Sequence, residues 1–175
     1  AITSLERAVR DVADEEALPG LAAAYFELGW LYQNHDNSPA DAVNYYTRAI
    51  DLNPEDVLAY NNRGNAYLDL GQHEQAIEDY TKAIELDPEY TSAYTNRGEA
   101  YYDQGRYDVA LADYNKALEL DPEDLPKVIA PIVDAIARLA RCEFPEFNDS
   151  NKLGEGQAKV DRLQWQGTRD HSASP

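Results

Sequence analysis

Apolar and polar positions along this chain fall at helical spacing almost from its start. Between Thr3 and about Leu18, the residues Leu5, Val9, Val12 and Ala13 form one stripe, which is the signature of an amphipathic helix. Thr3 followed by Glu6 matches a capping box, and Pro19-Gly20 predicts the end of that helix. Further on, the pattern repeats itself. From Ala59 the chain reads AYNNRGNAYLDLGQHEQAIEDYTKAIELDPEY, and from Ala93 it reads AYTNRGEAYYDQGRYDVALADYNKALELDPED. The offset is 34 residues and needs no gap: Gly64, Tyr67, Gly71, Ala76, Tyr80, Ala83 and Pro88 return as Gly98, Tyr101, Gly105, Ala110, Tyr114, Ala117 and Pro122. A fixed period of this length marks units that cannot bury their own apolar faces and must stack on their neighbours.

A third, degenerate copy precedes these two. Tyr25, Leu28, Gly29 and Tyr32 align with Tyr60, Arg63, Gly64 and Tyr67, while Ala42, Tyr46, Ala49 and Pro54 align with Ala76, Tyr80, Ala83 and Pro88. The two halves agree if one extra residue sits in the turn at His35–Asn37, after which Ser38 caps a helix that Pro39 opens. The period stops after Asp124, but 125–142 still reads as a helix, with Val128, Ile129, Ile132, Val133, Ile136 and Leu139 on one broad face. Pro131 there predicts a kink or a delayed start. Residues 143–175 form a polar tail, in which Gln157–Trp165 carries the apolar Val160, Leu163 and Trp165.

Inside each unit the residue types state their work. Gly64 and Gly98 fall where two helices cross closely, and Ala76, Ala83, Ala110 and Ala117 supply small contacts on the facing helix. Gly71 and Gly105 suit the left-handed residue that ends a helix. Asp87-Pro88 and Asp121-Pro122 stop one helix and start the next. In phase and in length these units resemble the tetratricopeptide repeat (TPR), a helix–turn–helix motif. The resemblance implies an all-α, right-handed superhelical solenoid. Its parts are a capping helix at 1–21, repeats at 22–56, 57–90 and 91–124, and a second capping helix at 125–142. Arg63 and Arg97 stand where the TPR pattern usually has an aliphatic residue. Asp79 and Asp113 follow 16 residues later on the facing helix, and the first copy lacks Arg and Asp together. Structural pairs Arg63–Asp79 and Arg97–Asp113 are expected, because charges tolerate partial burial when paired.

Composition narrows the functional classes. With 33 acidic against 15 basic residues the net charge is −18, which disfavours nucleic acid and anionic membrane surfaces as partners. No apolar run reaches the length of a membrane span. Cys142 is the only cysteine, so an intramolecular disulfide is excluded and a reducing compartment, cytoplasm or organelle stroma, is favoured. No signal peptide is visible. The absence of Met is read as a processed or trimmed N-terminus. His35, His73 and His171 are isolated, with no Cys or carboxylate at metal-ligand spacing. No phosphate loop or nucleophile–base set emerges. The chain is therefore read as non-catalytic, without metal or other cofactor.

The resemblance implies a concave groove lined by the first helix of each repeat and holding an extended peptide or helix of another protein. Carried onto this sequence, the groove set is Phe26, Trp30 and Gln33, then Asn61, Asn62, Asn65 and Asp69, then Thr95, Asn96, Glu99 and Asp103. Asparagine donates and accepts, so Asn62 and Asn96 can clamp a peptide backbone without reading its side chains. A chaperone C-terminal tail needs Lys and Arg to hold its carboxylates. Phe26, Trp30, Ser92 and Asn96 stand in the matching places, so that partner is rejected and a neutral or basic peptide is expected. The alternative is an architectural subunit docking through its convex face, end helix or tail.

Overall fold

The computed structural model describes residues 2–11 and 18–143. Gln157–Trp165 lies outside them. Every regular element among the described residues is helical: α1 (Ile2–Asp11), α2 (Leu18–Asn34), α3 (Pro39–Leu52), α4 (Val57–Asp69), α5 (His73–Leu86), α6 (Thr91–Asp103), α7 (Tyr107–Leu120) and α8 (Leu125–Glu143), with a 3₁₀ turn at Pro122–Asp124. The fold is an all-α solenoid of stacked hairpins, α2/α3, α4/α5 and α6/α7. Two compact units divide the chain, residues 1–135 and residues 136–175, and the hairpins belong to the first. Within it α4 meets both α2 and α6, whereas α3, α5 and α7 do not approach one another. A stack that is tight along one edge and splayed along the other curves around the tight edge. The first helices therefore line the inner face.

Each hairpin closes on a glycine and a tyrosine. A Cβ placed on Gly29, Gly64 or Gly98 would lie 2.7, 2.6 or 2.8 Å from the ring of Tyr46, Tyr80 or Tyr114. The ring occupies the space a side chain would need, so only glycine lets the two helices pack this closely. These tyrosines are almost fully buried, and the alanines at 42, 49, 76, 83, 110 and 117 are buried beside them. Ala66 then packs on Ala42 and Tyr46 of the preceding second helix, and Ala100 on Ala76 and Tyr80. Burying one large side chain of this kind contributes roughly 1.5–3 kcal/mol, so the repeated ring carries much of each hairpin.

The turns follow from the sequence. Gly71 and Gly105 are left-handed, at φ +70° and +76°. Gln72 N–H donates to Tyr67 O, and Gly71 N–H to Leu68 O, both at 2.8 Å, closing the helix end in a Schellman motif. Asn37, with φ 50°, takes this place in the first repeat, which Asn tolerates better than most side chains. Asp87 and Asp121 accept the backbone N–H two residues on, at 3.0 Å, so the Asp-Pro pairs both stop and turn the chain.

Three expectations are corrected. Pro19-Gly20 does not end a helix but lies in the first turn of α2, where proline lacks only an N–H that has no helical partner anyway. Thr3 sits inside α1 and not before it; Glu6 is engaged by tyrosine hydroxyls instead of capping. Helix α8 starts at Leu125 and continues through Pro131, and its broad apolar face is divided. Val128 and Ala135 are fully buried and Ile132 packs beside Val128, but Leu125, Ile129, Val133 and Ile136 are exposed.

Candidate functional site

Three first helices bring most of the groove set onto one face, and the asparagines there bond to each other. Asn96 Nδ2 donates to Asn61 Oδ1 at 3.0 Å and to Asn65 Oδ1 at 3.1 Å, tying α6 to α4. Asn61, only 4% exposed, donates to Asn62 Oδ1 at 3.3 Å. Tyr80, its ring held under Gly64, reaches through the hairpin to donate to Asn65 at 2.7 Å. One repeat earlier Tyr46 donates to Gln33 at 3.3 Å, and Gln33 Nε2 donates to Asp69 at 2.8 Å. This amide ladder ties the inner face between repeats and engages Asn62 through its Oδ1 and Asn96 through its Nδ2, while both side chains stay partly exposed.

The remaining members of the set separate. Phe26 packs against Tyr46, with ring centroids 5.6 Å apart, in the core of the first hairpin. Trp30 stays 42% exposed, and Leu58, absent from the sequence-derived set, is 50% exposed one turn before Asn61 and Asn62. Thr95 bonds its own helix backbone. It joins Glu99, Tyr102, Asp103 and Tyr114 in a cleft of about 310 Å³ whose far wall is Lys127, Val128 and Pro131 of α8. Burial and then Asp103 raise the Glu99 carboxyl above its ordinary value. Burial, followed by Glu99 and Asp103, raises the Tyr114 hydroxyl too. The third-repeat end of the inner face thus sets two exposed carboxylates, Glu99 and Asp103, opposite Lys127 of α8. Sequence reasoning missed the α8 wall because α8 lies outside the repeat.

On the other side of each hairpin the structure brings Arg63 and Asp79 together in a bidentate pair, both contacts at 2.7 Å, and Arg97 and Asp113 at 2.8 Å. Burial works against both charges and lifts the Asp79 carboxyl, while the paired hydrogen bonds keep Arg63 protonated. The third arm of each guanidinium donates to Thr47 or Thr81 of the preceding second helix, at 3.1 Å. Each arginine thus fastens three helices. The threonines also recur at the 34-residue period, a signal the sequence reading left unused. In the first repeat Leu28 is fully buried, and Tyr45 and Tyr32 both donate to Glu6 of α1 at 2.8 Å. No group of His, Cys, Asp and Glu among the described residues could hold a metal ion, and no described helix is long and apolar enough to cross a membrane.

Comparison with known proteins agrees with this architecture. Models of the tetratricopeptide repeat match residues 22–56, 45–78 and 91–124, and a TPR repeat model matches 64–105. The Arabidopsis OM64 TPR domain is 33% identical over 65% of this chain and 93% of that one, with a TM-score of 0.62. The first TPR of Spaghetti (RPAP3), solved with the HSP90 peptide SRMEEVD, is 28% identical over 68% and 93%, with a TM-score of 0.65. The TPR2B domain of yeast Sti1, in complex with Hsp70, is 29% identical over 67% and 97%, with a TM-score of 0.64. No curated protein matches the sequence significantly. The chain belongs to the tetratricopeptide repeat family.

Proposed function

We propose that this protein is a non-catalytic scaffold that binds an extended segment of another protein along the inner face of α2, α4 and α6. The observation that supports the reading is the amide ladder that joins α2, α4 and α6, with the amides and carboxylates of α4 and α6 beside it. Asn62 donates to a carbonyl of the ligand backbone and Asn96 accepts from an N–H, which holds a strand without reading its side chains. Two similar structures carry chaperone segments, an HSP90 peptide and Hsp70, which supports peptide binding as the use of this face. The chemistry here favours another ligand. Asp69, Glu99 and Asp103 stand on the same helices, and a segment rich in Glu and Asp would bring like charges together. Like charges placed face to face oppose binding. The ligand is a neutral or basic peptide.

The test is a fluorescence anisotropy titration with two labelled heptapeptides, SRMEEVD and its charge-reversed form SRMKKVK. The expected result is weak, unsaturated binding of the first. The second saturates at micromolar protein, and Asn62→Ala weakens it at least fivefold. Micromolar binding of SRMEEVD would return the chaperone tail as the ligand and end the charge argument. If neither peptide binds, and a random peptide library yields no ligand sensitive to Asn62→Ala, the groove reading itself is lost.

A further inference from the structure

Helix α8 begins 34 residues after α6, as α6 begins 34 after α4 (Val57, Thr91, Leu125). It stands where the first helix of a fourth hairpin would start, but it is turned about its axis. In α4 and α6 the third and tenth residues, Ala59 and Ala66 or Ala93 and Ala100, are fully buried. The later member of each pair packs on the preceding second helix. In α8 the fourth and eleventh residues are buried instead, and Val128 packs on Ala110 and Tyr114 of α7. A shift of one residue is a rotation of about 100°.

That rotation identifies the exposed stripe. In α4 and α6 the residue facing the helix's own partner in the hairpin is the eighth, Gly64 or Gly98, under the ring of Tyr80 or Tyr114. The fourth lies one turn before it. Moved on by one residue, this face falls on Ile129 and Val133, which are 48% and 61% exposed, with Leu125 at 45% beside them. The bare apolar stripe of α8 is the surface that a second helix covers in all three hairpins.

We infer that this stripe docks an amphipathic α-helix of a partner protein, packed on α8 as a second helix packs on a first. The inference is independent of the groove reading. Its chemistry differs from the internal hairpins at one point. Where Gly64 and Gly98 admit a tyrosine ring, α8 presents Val133, so the partner helix carries a small residue at its centre with aliphatic residues one turn to either side. Among the described residues of a second copy, no second helix of a hairpin is free to supply it. The small faces of α3, α5 and α7, at Ala42, Ala49, Ala76, Ala83, Ala110 and Ala117, are all buried. The surface also lies apart from the cleft between α6 and α8, whose α8 wall is Lys127, Val128 and Pro131.

The experiment uses the full chain and a labelled, lactam-bridged helical peptide with the sequence Tyr107–Leu120 carrying Y114A. Saturable binding is expected, with Kd raised at least tenfold by Ile129→Asp/Val133→Asp and the thermal midpoint of that variant unchanged. Absence of saturation, or equal affinity in the variant, overturns the proposal. A monomer–dimer equilibrium in sedimentation velocity that the variant abolishes assigns the stripe to a second copy and overturns it too. So does a fall of many degrees in the variant's midpoint, because the stripe would then already be covered within the chain.

Discussion

A single missing methyl sets the distance between the helices of each hairpin. Alanine favours a helix over glycine by about 1 kcal/mol, so on propensity alone Gly64→Ala would stabilise α4. The new Cβ would lie 2.6 Å from Cε1 of Tyr80, whose ring is fully buried and whose hydroxyl is held by Asn65. Neither ring nor backbone yields cheaply, and overpacking of this kind costs about 1–3 kcal/mol. The steric cost wins. Gly64→Ala is expected to lower the thermal midpoint by several degrees, and Gly98→Ala likewise, with Tyr114 2.8 Å away. Gly20, exposed in the first turn of α2 with nothing within 4 Å of its would-be Cβ, is the control. Gly20→Ala should raise the midpoint slightly, through the smaller freedom of the unfolded chain. Thermal unfolding followed by circular dichroism decides it. If Gly64→Ala also raises the midpoint, the close approach is not what holds the hairpin.

Between helices, the Arg–Asp–Thr fastening is the element on which stacking depends. The side chains of Arg63 and Asp79 are 16% and 7% exposed, so removing one partner strands the other in a place water barely reaches. Losses of about 3–5 kcal/mol are typical of a broken buried pair, whereas apolar replacement of both partners is often neutral. Arg63→Leu and Asp79→Leu should therefore each destabilise strongly, and Arg63→Leu/Asp79→Leu should recover most of the loss. The first repeat, with buried Leu28, already shows an apolar solution. Urea unfolding of the two single variants and the double variant measures the coupling, and additive losses would refute it. The same fastening shows what the sequence made legible. The 34-residue period gave the hairpins, the glycine–tyrosine contacts, the left-handed turns and the Arg–Asp partners, because each depends on residues at fixed offsets. The amide ladder was hidden, since Asn61, Asn65 and Asn96 looked like ligands until their distances made them partners of one another. The ends were hidden for a related reason. Pro19-Gly20 reads as a stop or a first turn by local rules alone, and the rotation of α8 is set by how Val128 fits Ala110 and Tyr114, which no period encodes.

At the scale of the whole molecule, one property acts on folding and on binding with opposite signs. A net charge of −18 repels itself in the compact state, and the inner face adds Asp69, Glu99 and Asp103 to that field. Salt screens both effects: the Debye length falls from about 30 Å at 0.01 M to about 8 Å at 0.15 M. Folding should gain from the screening, and the thermal midpoint is expected to rise over this range. Association with a basic peptide loses long-range attraction over the same range. Its on-rate should fall several-fold while the off-rate, which the proposed binding mode assigns to short contacts with Asn62 and Asn96, changes little. The two readouts separate the ligand classes. A neutral ligand would show the rise in stability with no change in on-rate. An acidic tail would associate faster as salt is added, since the repulsion it meets is screened. Stopped-flow association beside thermal unfolding in the same buffers distinguishes these cases, and an on-rate that climbs with salt would count directly against a basic ligand in this groove.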